Sequence, residues 1–448
     1  MFRFIHTADA HIDSPLRGLE AYDGAPVEAL RGATRRAFEN LVRLALDEPV
    51  DFVVIAGDLY DGDWKDFSTG LFFTRQMARL REAGIPVYVI AGNHDAASVL
   101  TRRLSLPDNV HFFSTRAAES KRVPDLPVVI HGRGFPHRAV PENLVPDYPE
   151  PVSGLFNIGL LHSSLNGAPG HDTYAPCTLR DLTDKGYDYW ALGHVHQPQV
   201  LARGPWVVYP GNLQGRHSRE TGARGCQLVS VSDSLEVVDA EHRPLDLVRW
   251  QRINVDLSAP NRSEQDGSDQ ARSDLARSDP ARSHQAPFDQ AVSLIGDALR
   301  AALPAADGRL LAVRIALSGA TALHGQLKRN QPRLRAECIA QGQIIAPDAL
   351  WIEEIEIDTT PRYRLDELAA GSDLTRIVLE TLDGALAGEL DLPADLQDAL
   401  KQLPVDIRAD IETDLAPLGR AALLGDVRAI VLEALQVGGG HDEDERAR

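Results

Sequence analysis

Five short apolar runs in this chain each lead into a group of polar side chains. The runs are continuous and rich in β-branched and aromatic residues, which is typical of strands buried on both faces of a sheet. They lie at residues 2–7, 52–56, 87–90, 158–161 and 189–192. Ligands of open α/β sheets gather beyond the carboxyl ends of the strands. The five groups therefore predict one common site.

The polar residues after these runs are types that bind metals or move protons. In chain order they are Asp9 and His11, Asp58 and Asp61, Asn93 and His94, His162, and His194 and His196. Gly57, Gly92 and Gly193 stand beside three of these groups, where a larger side chain would crowd a ligand. Imidazole, carboxylate and amide donors without a thiolate favour Mn, Fe or Zn over Ca. A single histidine is more often packed or solvated, but the ordered set predicts a metal site.

The spacing between the runs predicts the fold class. Apolar residues at helical spacing lie between the first three runs, at 27–46 and 71–80. Alternating strands and helices predict a parallel sheet covered by helices, which is an α/β fold. Three later runs, at 206–209, 227–231 and 235–238, have no helix between them. We expect them to be antiparallel strands that close a second sheet.

The first predicted domain covers residues 1–245, and the chain changes character beyond it. Residues 259–287 are polar, with an Ala-Arg-Ser repeat and few large apolar side chains, so we expect a flexible linker. Residues 288–360 have the apolar spacing of a small α/β module. Residues 361–440 are acidic, with apolar stripes at helical spacing. These stripes pack on their own domain or dock on the helices of a partner.

Length and composition restrict the class of protein. The 448 residues allow two or three domains, and a hydrophobic fraction of 43% is that of a globular protein. No apolar run approaches the roughly 20 residues of a membrane span, and the N-terminus does not resemble a signal peptide. We expect a cytoplasmic protein that does not bind membranes. Cys177, Cys226 and Cys338 are too scattered for a disulfide framework.

The net charge of −19 weighs against a nucleic-acid binder, because affinity for DNA comes largely from neutralised phosphates. However, the charge is unevenly distributed. From residue 361 onward there are 19 acidic and 9 basic residues, a net charge of −10. Two bound divalent cations would offset further carboxylates at the predicted site. The composition therefore leaves DNA open as a substrate.

Taken together and in this order, the five groups resemble the calcineurin-like metallophosphoesterase family. The resemblance implies a layered β-sandwich flanked by helices and a site for two divalent metal ions, with Mn²⁺ expected. Asp9, His11, Asp58 and His196 would hold the first ion, and Asp58, Asn93, His162 and His194 the second, which makes Asp58 the bridge. His94 would then stabilise the transition state or protonate the leaving oxygen.

Motifs at residues 4–11, 171–176, 188–194 and 209–217 are similar to the DNA-repair exonuclease branch, the SbcD-like proteins, and most closely to YhaO-type members. This resemblance implies a DNA exonuclease or endonuclease with a small α/β capping domain and a helical tail. It also implies a coiled-coil, SMC-like ATPase partner of the SbcC or YhaN type, and a homodimer is possible. One position departs from archaeal and eukaryotic relatives, which have histidine where this chain has Asp61.

Two other functions stay open from the sequence. A phosphatase or small-nucleotide phosphodiesterase would use the same metal ligands, and a structural subunit of an ATPase complex would not need them. Five arginines near the predicted site are candidates either for phosphate contacts or for ordinary solvated side chains: Arg102, Arg103, Arg216, Arg219 and Arg224. His6 and His171 are candidates for orienting the ligands rather than for binding metal.

Overall fold

The computed structural model describes the greater part of the chain, namely residues 1–14, 30, 32–61, 67–95, 105–165, 174–258 and 280–361, with only the backbone of 280–286 and 361. Most of the expected linker, residues 259–279, lies outside the described residues. So does the expected acidic helical region from residue 362, together with Arg102, Arg103 and His171.

Twelve of the described strands form two six-stranded sheets. In chain order they are β1 (Phe2–Thr7), β2 (Phe52–Ala56), β3 (Val87–Ile90), β4 (Val110–Phe112), β5 (Glu119–Arg122), β6 (Val128–Gly132), β7 (Phe156–His162), β8 (Tyr189–Gly193), β9 (Gln199–Arg203), β10 (Trp206–Tyr209), β11 (Gly225–Val231) and β12 (Val237–Pro244). The first sheet has the order β12-β11-β1-β2-β3-β4, and the second has the order β5-β6-β7-β8-β10-β9. All five apolar runs are strands, as predicted.

The three later runs are strands, but they do not together close the second sheet, so that prediction is wrong. β10 lies in the second sheet, parallel to β8 and antiparallel to β9. β11 and β12 lie in the first sheet, where β11 pairs antiparallel to β1 with Phe2 opposite Val231. The paired residues are more than 200 positions apart in the sequence, and such a pairing leaves no local signal. Apolar alternation shows that a segment is a strand, but not which strand it pairs with.

The sandwich core follows from the pleat of the strands. On β2, Phe52 and Val54 face the second sheet in one apolar cluster, while Val53 and Ile55 face the helices in another. The helices on that face are α1 (Ala33–Asp47) and α2 (Ser68–Glu82), the two expected from the spacing of apolar residues. Burial on both faces explains why these strands are apolar throughout, and it fixes where their carboxyl ends lie.

The remaining described elements follow the sandwich strands or lie between them. Helix α3 (Leu179–Asp184) begins with a capping box formed by Thr178 and Asp181. A three-stranded sheet has the order β13 (Val248–Asp256), β14 (Leu310–Thr321) and β15 (Leu350–Pro361). The described helices of the C-terminal half are α4 (Pro280–Ala302), α5 (His324–Arg329) and α6 (Gln331–Ile345). Helix α4 begins at Pro280, inside the segment that we expected to be linker. The described helices include none that could cross a membrane.

The chain divides into two compact units that do not coincide with simple sequence ranges. The first contains the described residues of 1–252 together with 302–314 and 346–353. The second draws its described residues from 253–301, 315–345 and 354–361. Within the second unit, the guanidinium of Arg333 lies 4.5 Å from the ring centroid of Phe288. The domain limits expected from the sequence stay a prediction.

A buried ion cluster in the first unit gives a test of the fold. The carboxylate of Asp246 is fully buried and lies 3.0 Å from both Arg249 and Arg309. Asp246→Ala would remove the buried carboxylate that both guanidinium groups contact, which costs about 3–5 kcal/mol for a buried pair. We expect that loss in the free energy of unfolding, measured by urea denaturation. Asp239→Ala, at an exposed position, is the control, with an expected change within about 0.5 kcal/mol. Equal effects of the two variants would contradict a stabilising role for the cluster.

Candidate metal centre

The structure brings all eight predicted site residues together at the carboxyl ends of β1, β2, β3, β7 and β8. Nε2 of His11 lies 3.2 Å from Nε2 of His196. Nε2 of His162 lies 3.4 Å from Oδ2 of Asp58 and 2.9 Å from Oδ1 of Asn93. These strands belong to both sheets, so the site occupies a shared edge of the sandwich.

The donor atoms form three overlapping groups that could hold a metal ion. Within each group the atoms lie within 4.8 Å of one another. The groups are Asp9, His11 and His196; His11, Asp58 and His94; and Asp58, His162 and His194. Asp58 and His11 each belong to two groups, and the bridging role of Asp58 stays a prediction. His94 also belongs to one of them, so geometry alone permits it to be a ligand.

The backbone at the site is held in an unusual conformation. Asp9, His11 and Asp58 have φ values of 50°, 41° and 51°. These values lie in the left-handed region, which residues other than glycine rarely adopt. At His194 φ is 99°. Such conformations cost of order 1–3 kcal/mol each and cluster at functional sites. Part of this cost is offset because the N–H of His194 donates to Oδ2 of Asp9 at 2.9 Å.

Two glycines beside the site are required by close approach. A Cβ atom at Gly92 would lie 2.2 Å from Oδ1 of Asp58, and one at Gly193 would lie 1.9 Å from the carbonyl oxygen of Ala56. Any side chain at either position would displace Asp58 or separate the ends of β2 and β8. The lack of space for a side chain thus explains why glycine stands at these two strand ends.

The tautomers of two histidines follow from their partners. Nδ1 of His162 lies 2.8 Å from the carbonyl oxygen of Ala56, which can only accept, so Nδ1 carries the proton. In the neutral ring Nε2 of His162 then carries the lone pair, and it faces the oxygens of Asp58 and Asn93. Likewise, Nδ1 of His196 donates to Oε1 of Glu220 at 2.5 Å. The unprotonated imidazole nitrogens and the neighbouring oxygens thus face one another. A cation would fit between these atoms, so the residues suit divalent metals.

The charges within the site also favour a cation. Burial raises the pKa of Asp9 to about 6, although His162 and His196 act against this. Burial would also raise the pKa of Asp58, but His162, His11 and His94 hold it well below its usual range. Burial lowers the pKa of His162, yet the charge of Asp58 raises it to about 9. Asp58 therefore keeps its negative charge and attracts positive charge.

Sequence reasoning missed Glu220, which supports the site from a loop. Its buried carboxylate accepts hydrogen bonds from Nδ1 of His196, from Nδ2 of Asn212 at 3.0 Å and from the backbone N–H of Arg216 at 2.6 Å. Burial raises the pKa of Glu220, but the hydrogen bond from His196 and the charges of His196 and Arg216 hold it well below its ordinary value. The residue follows no apolar run, so strand-end patterning could not identify it. Its only sequence signal is its position three residues beyond the motif at 209–217.

Asp61 contacts His94 directly. Nδ1 of His94 lies 2.7 Å from Oδ1 of Asp61, and the hydroxyl of Ser14 donates to Oδ2 of Asp61 at 2.7 Å. This hydrogen bond raises the pKa of His94 although burial opposes it. Because Nδ1 is engaged, Nε2 is the nitrogen that His94 has available for other groups. The aspartate that departs from distant relatives therefore has a defined partner in this chain.

A cavity of about 520 Å³ opens beside the site. Its lining includes the site residues Asp58, Asn93, His94, His194 and His196, and also Arg138, Arg216 and Arg219. Arg224 also lines it but is only 2% exposed and donates to the carbonyl oxygens of His196 and Thr221. The guanidinium of Arg224 is thus committed to holding the loop, whereas the other arginines lie in the open lining.

His6 is buried behind the site rather than in it. Its Nε2 lies 3.0 Å from the carbonyl oxygen of Leu192, and its Nδ1 lies 3.0 Å from the hydroxyl of Tyr189. Nε2 must therefore donate, and Nδ1 of the neutral ring can accept from the tyrosine hydroxyl. Burial lowers the pKa of His6 to about 3. The expected role in orienting ligands stays a prediction, supported by the bond to the strand that precedes His194.

This burial predicts a loss of stability in acid. Below the ordinary pKa of 6.5 the unfolded chain binds a proton at His6 and the folded chain does not. The free energy of unfolding is therefore highest above that pH and falls by about 1.4 kcal/mol per pH unit well below it. His6→Gln, which can still donate to Leu192, is expected to show a shallower slope between pH 6.5 and 5 in urea unfolding with chelator present. Parallel curves for the two proteins would contradict this account.

The two packed sheets, with carboxylate, amide and imidazole donors at their common edge, define a metal-binding α/β protein. Residues 2–198 match the model of the calcineurin-like phosphoesterase family, and the chain therefore contains a calcineurin-like metallophosphoesterase domain. Residues 281–360 match the model of the middle domain of metallophosphoesterase YhaO. The family resemblance inferred from the five strand ends is confirmed.

Curated relatives support the same family. The uncharacterized metallophosphoesterase YhaO of Bacillus subtilis is 39% identical over 263 residues, which cover 57% of this chain and 63% of the relative. The DNA double-strand break repair protein Mre11 of Methanosarcina mazei is 28% identical over 52% of this chain and 37% of its own length. Mre11 of Haloferax volcanii is 28% identical over 59% of this chain and 57% of its own length. The matches thus span less than two thirds of each relative.

Proposed function

We propose that this chain is a metal-dependent nuclease that hydrolyses phosphodiester bonds in DNA as an exonuclease or endonuclease. The observation that carries the proposal is Asp58, which is shared by two donor groups at the edge of a phosphoesterase domain. DNA as substrate is supported by the two relatives named as DNA double-strand break repair proteins.

Seven side chains would hold two divalent cations, with Mn²⁺ the expected metal. Asp9, His11, Asp58 and His196 would hold one, and Asp58, Asn93, His162 and His194 the other. When bound, such a pair lowers the pKa of a water molecule and neutralises charge on the phosphate. The strained backbone and the fixed tautomers of His162 and His196 keep the donors in place before the substrate arrives.

His94 has the position of the catalytic residue in this proposal. It lines the cavity and is oriented by Asp61, so that Nε2 is available to the substrate. From there it would stabilise charge in the transition state or protonate the leaving oxygen. Asp61 acts through His94 and is a positioning residue.

The biological setting is also part of the proposal. The resemblance to SbcD-like proteins supports a coiled-coil, SMC-like ATPase of the SbcC or YhaN type as partner, and it allows a homodimer. The residues from 361 onward remain the candidate docking segment. DNA repair in the cytoplasm would then be the role of the complex.

Glu220 gives a test of the proposed ligands that does not depend on activity. Glu220→Gln removes the negative charge that orients His196, and loss of such a partner typically weakens metal binding by about 10–100-fold. We expect that weakening in a calorimetric titration with Mn²⁺. Glu236→Gln, at an exposed position, is the control and should bind like the native chain. Unchanged affinity in Glu220→Gln would remove His196 from the ligand set.

The proposal is tested by comparing three substrates with Mn²⁺, Mg²⁺ or chelator. These are linear duplex DNA, bis-p-nitrophenyl phosphate as a diester, and p-nitrophenyl phosphate as a monoester. We expect metal-dependent cleavage of DNA and of the diester. Cleavage of the monoester alone would favour a phosphatase. If metals bind but no substrate is cleaved, even after the ATPase is added, the structural-subunit function would replace the nuclease.

A further inference from the structure

We propose that the cavity binds a second phosphate group, next to the scissile one on the same nucleic-acid strand, through a basic rim formed by Arg138, Arg216 and Arg219. This inference rests on the proposed function, because it concerns the substrate of the same site. It assigns the substrate class as an oligonucleotide with at least two consecutive phosphates, rather than a mononucleotide or a simple diester.

The rim is assembled from two separate parts of the chain. Arg138 follows β6, whereas Arg216 and Arg219 follow β10, and all three line one cavity with the candidate metal ligands. Arg138 and Arg219 are exposed. Within the described ranges, the ion pairs of the structure include neither of them. The two guanidinium groups are therefore available for an anion that enters the cavity.

Arg216 is held differently from the other two. It is 18% exposed, its Nη1 lies 3.8 Å from Oδ2 of Asp61, and its Nη2 lies 3.8 Å from Oε1 of Glu220. Nη1 also donates to the hydroxyl of Ser14 at 3.3 Å. These contacts fix Arg216 between the metal centre and the exposed part of the rim. Arg216 would therefore lie between a phosphate at the metal centre and a second phosphate at Arg138 and Arg219.

Charge and size both favour a second phosphate. Although the chain carries a net charge of −19, the cavity lining contains four arginines and only two carboxylates, Asp58 and Glu220. A guanidinium binds phosphate oxygens through two parallel hydrogen bonds, so arginine is well suited to hold this anion. A cavity of about 520 Å³ also exceeds the space that one phosphate needs.

Two thymidine trinucleotides test the inference. The first has two ordinary phosphodiester linkages, and in the second one linkage is an uncharged, uncleavable methylphosphonate. Loss of one cleavable bond alone would halve the rate. If the rim binds the neighbouring phosphate, kcat/KM should fall by about tenfold, as expected for one charge-assisted hydrogen-bonded contact. Placing the methylphosphonate in either linkage shows on which side of the cut the second phosphate lies.

The variant Arg138→Gln/Arg219→Gln should remove this dependence on the second charge. In that double variant the two trinucleotides should differ by no more than about twofold. The slope of log binding constant against log salt concentration for a longer oligonucleotide should fall by roughly one to two. Arg180→Gln, at a position that is 87% exposed and outside the cavity lining, is the matched control and should keep the native discrimination.

The outcomes separate this inference from the proposed function. A native chain that cleaves both trinucleotides with a difference of only twofold would overturn the second phosphate site while leaving the nuclease intact. Retention of the tenfold difference in the double variant would assign the second phosphate to other residues and also overturn the rim. If neither trinucleotide nor bis-p-nitrophenyl phosphate is cleaved with metal bound, even after the ATPase is added, the proposed function itself fails.

Discussion

Asp58→Asn is expected to reduce phosphodiester hydrolysis by about a thousandfold or more. Asp58 is 2% exposed, and its carboxylate belongs to two of the three donor groups. Replacing it by an amide removes the negative charge that the two proposed cation positions would share. Because a bound metal pair contributes several kcal/mol to the transition state, its loss corresponds to about this factor in rate. The measurement is kcat/KM for bis-p-nitrophenyl phosphate with Mn²⁺.

The same variant should fold, because the asparagine has almost the same shape and lacks a buried charge. Because the neighbouring histidines stabilise the charged carboxylate of Asp58 in the folded chain, the melting temperature of the variant in chelator should be lower than that of the native chain. Added Mn²⁺ should raise the melting temperature of the native chain but not that of the variant, since only a ligand that binds the folded state stabilises it. Asp184→Asn, at a position that is 66% exposed, is the control. Full stabilisation of Asp58→Asn by Mn²⁺ would show that Asp58 is not a bridge.

His94→Ala is expected to lower kcat by about 10²–10⁴-fold, the usual contribution of a positioned acid or base. Its affinity for Mn²⁺ should stay within a few-fold of the native value, because the seven proposed ligands are intact. This comparison matters because His94 lies in one donor group with His11 and Asp58. A loss of metal affinity equal to the loss of activity would make His94 a ligand instead of a catalytic residue.

Asp61→Asn tests whether Asp61 acts on the reaction only by positioning His94. The amide can still contact Nδ1 of His94, but it no longer requires a proton there. We expect a smaller fall in kcat than for His94→Ala. In the background of His94→Ala, the change at Asp61 should have little further effect, since residues that act as a unit are not additive. Two independent and additive losses would contradict the pairing of Asp61 with His94.

The sequence predicts the site better than it predicts the sheets around it. The site residues follow apolar strands, and parallel strands bring their carboxyl ends to one edge wherever they lie in the sheet. For this reason Asp9, Asp58, Asn93, His162 and His194 could be grouped before the structure was known. The placement of β11 beside β1 depends on contacts across more than 200 residues, which leave no local pattern.

Residues that act from loops are the second limit of sequence reasoning. Glu220 and Arg138 follow no periodic segment, and each gains its role from chain segments that are distant in sequence. The role of an arginine also cannot be inferred from its identity, because arginines are found as solvated surface residues, in loop support and in anion binding. Only the structure separates Arg224, which is buried in backbone hydrogen bonds, from Arg219, which is exposed in the cavity.

Crystals soaked in MnCl₂ and measured at the manganese absorption edge would test the central claim most directly. The account predicts two anomalous peaks, one beside Asp9, His11 and His196 and one beside Asn93, His162 and His194, with Asp58 in contact with both. A crystal of Asp58→Asn should lose at least one of them. A single peak in the native crystal, or two peaks away from these strand ends, would contradict the two-metal site on which the proposed nuclease depends.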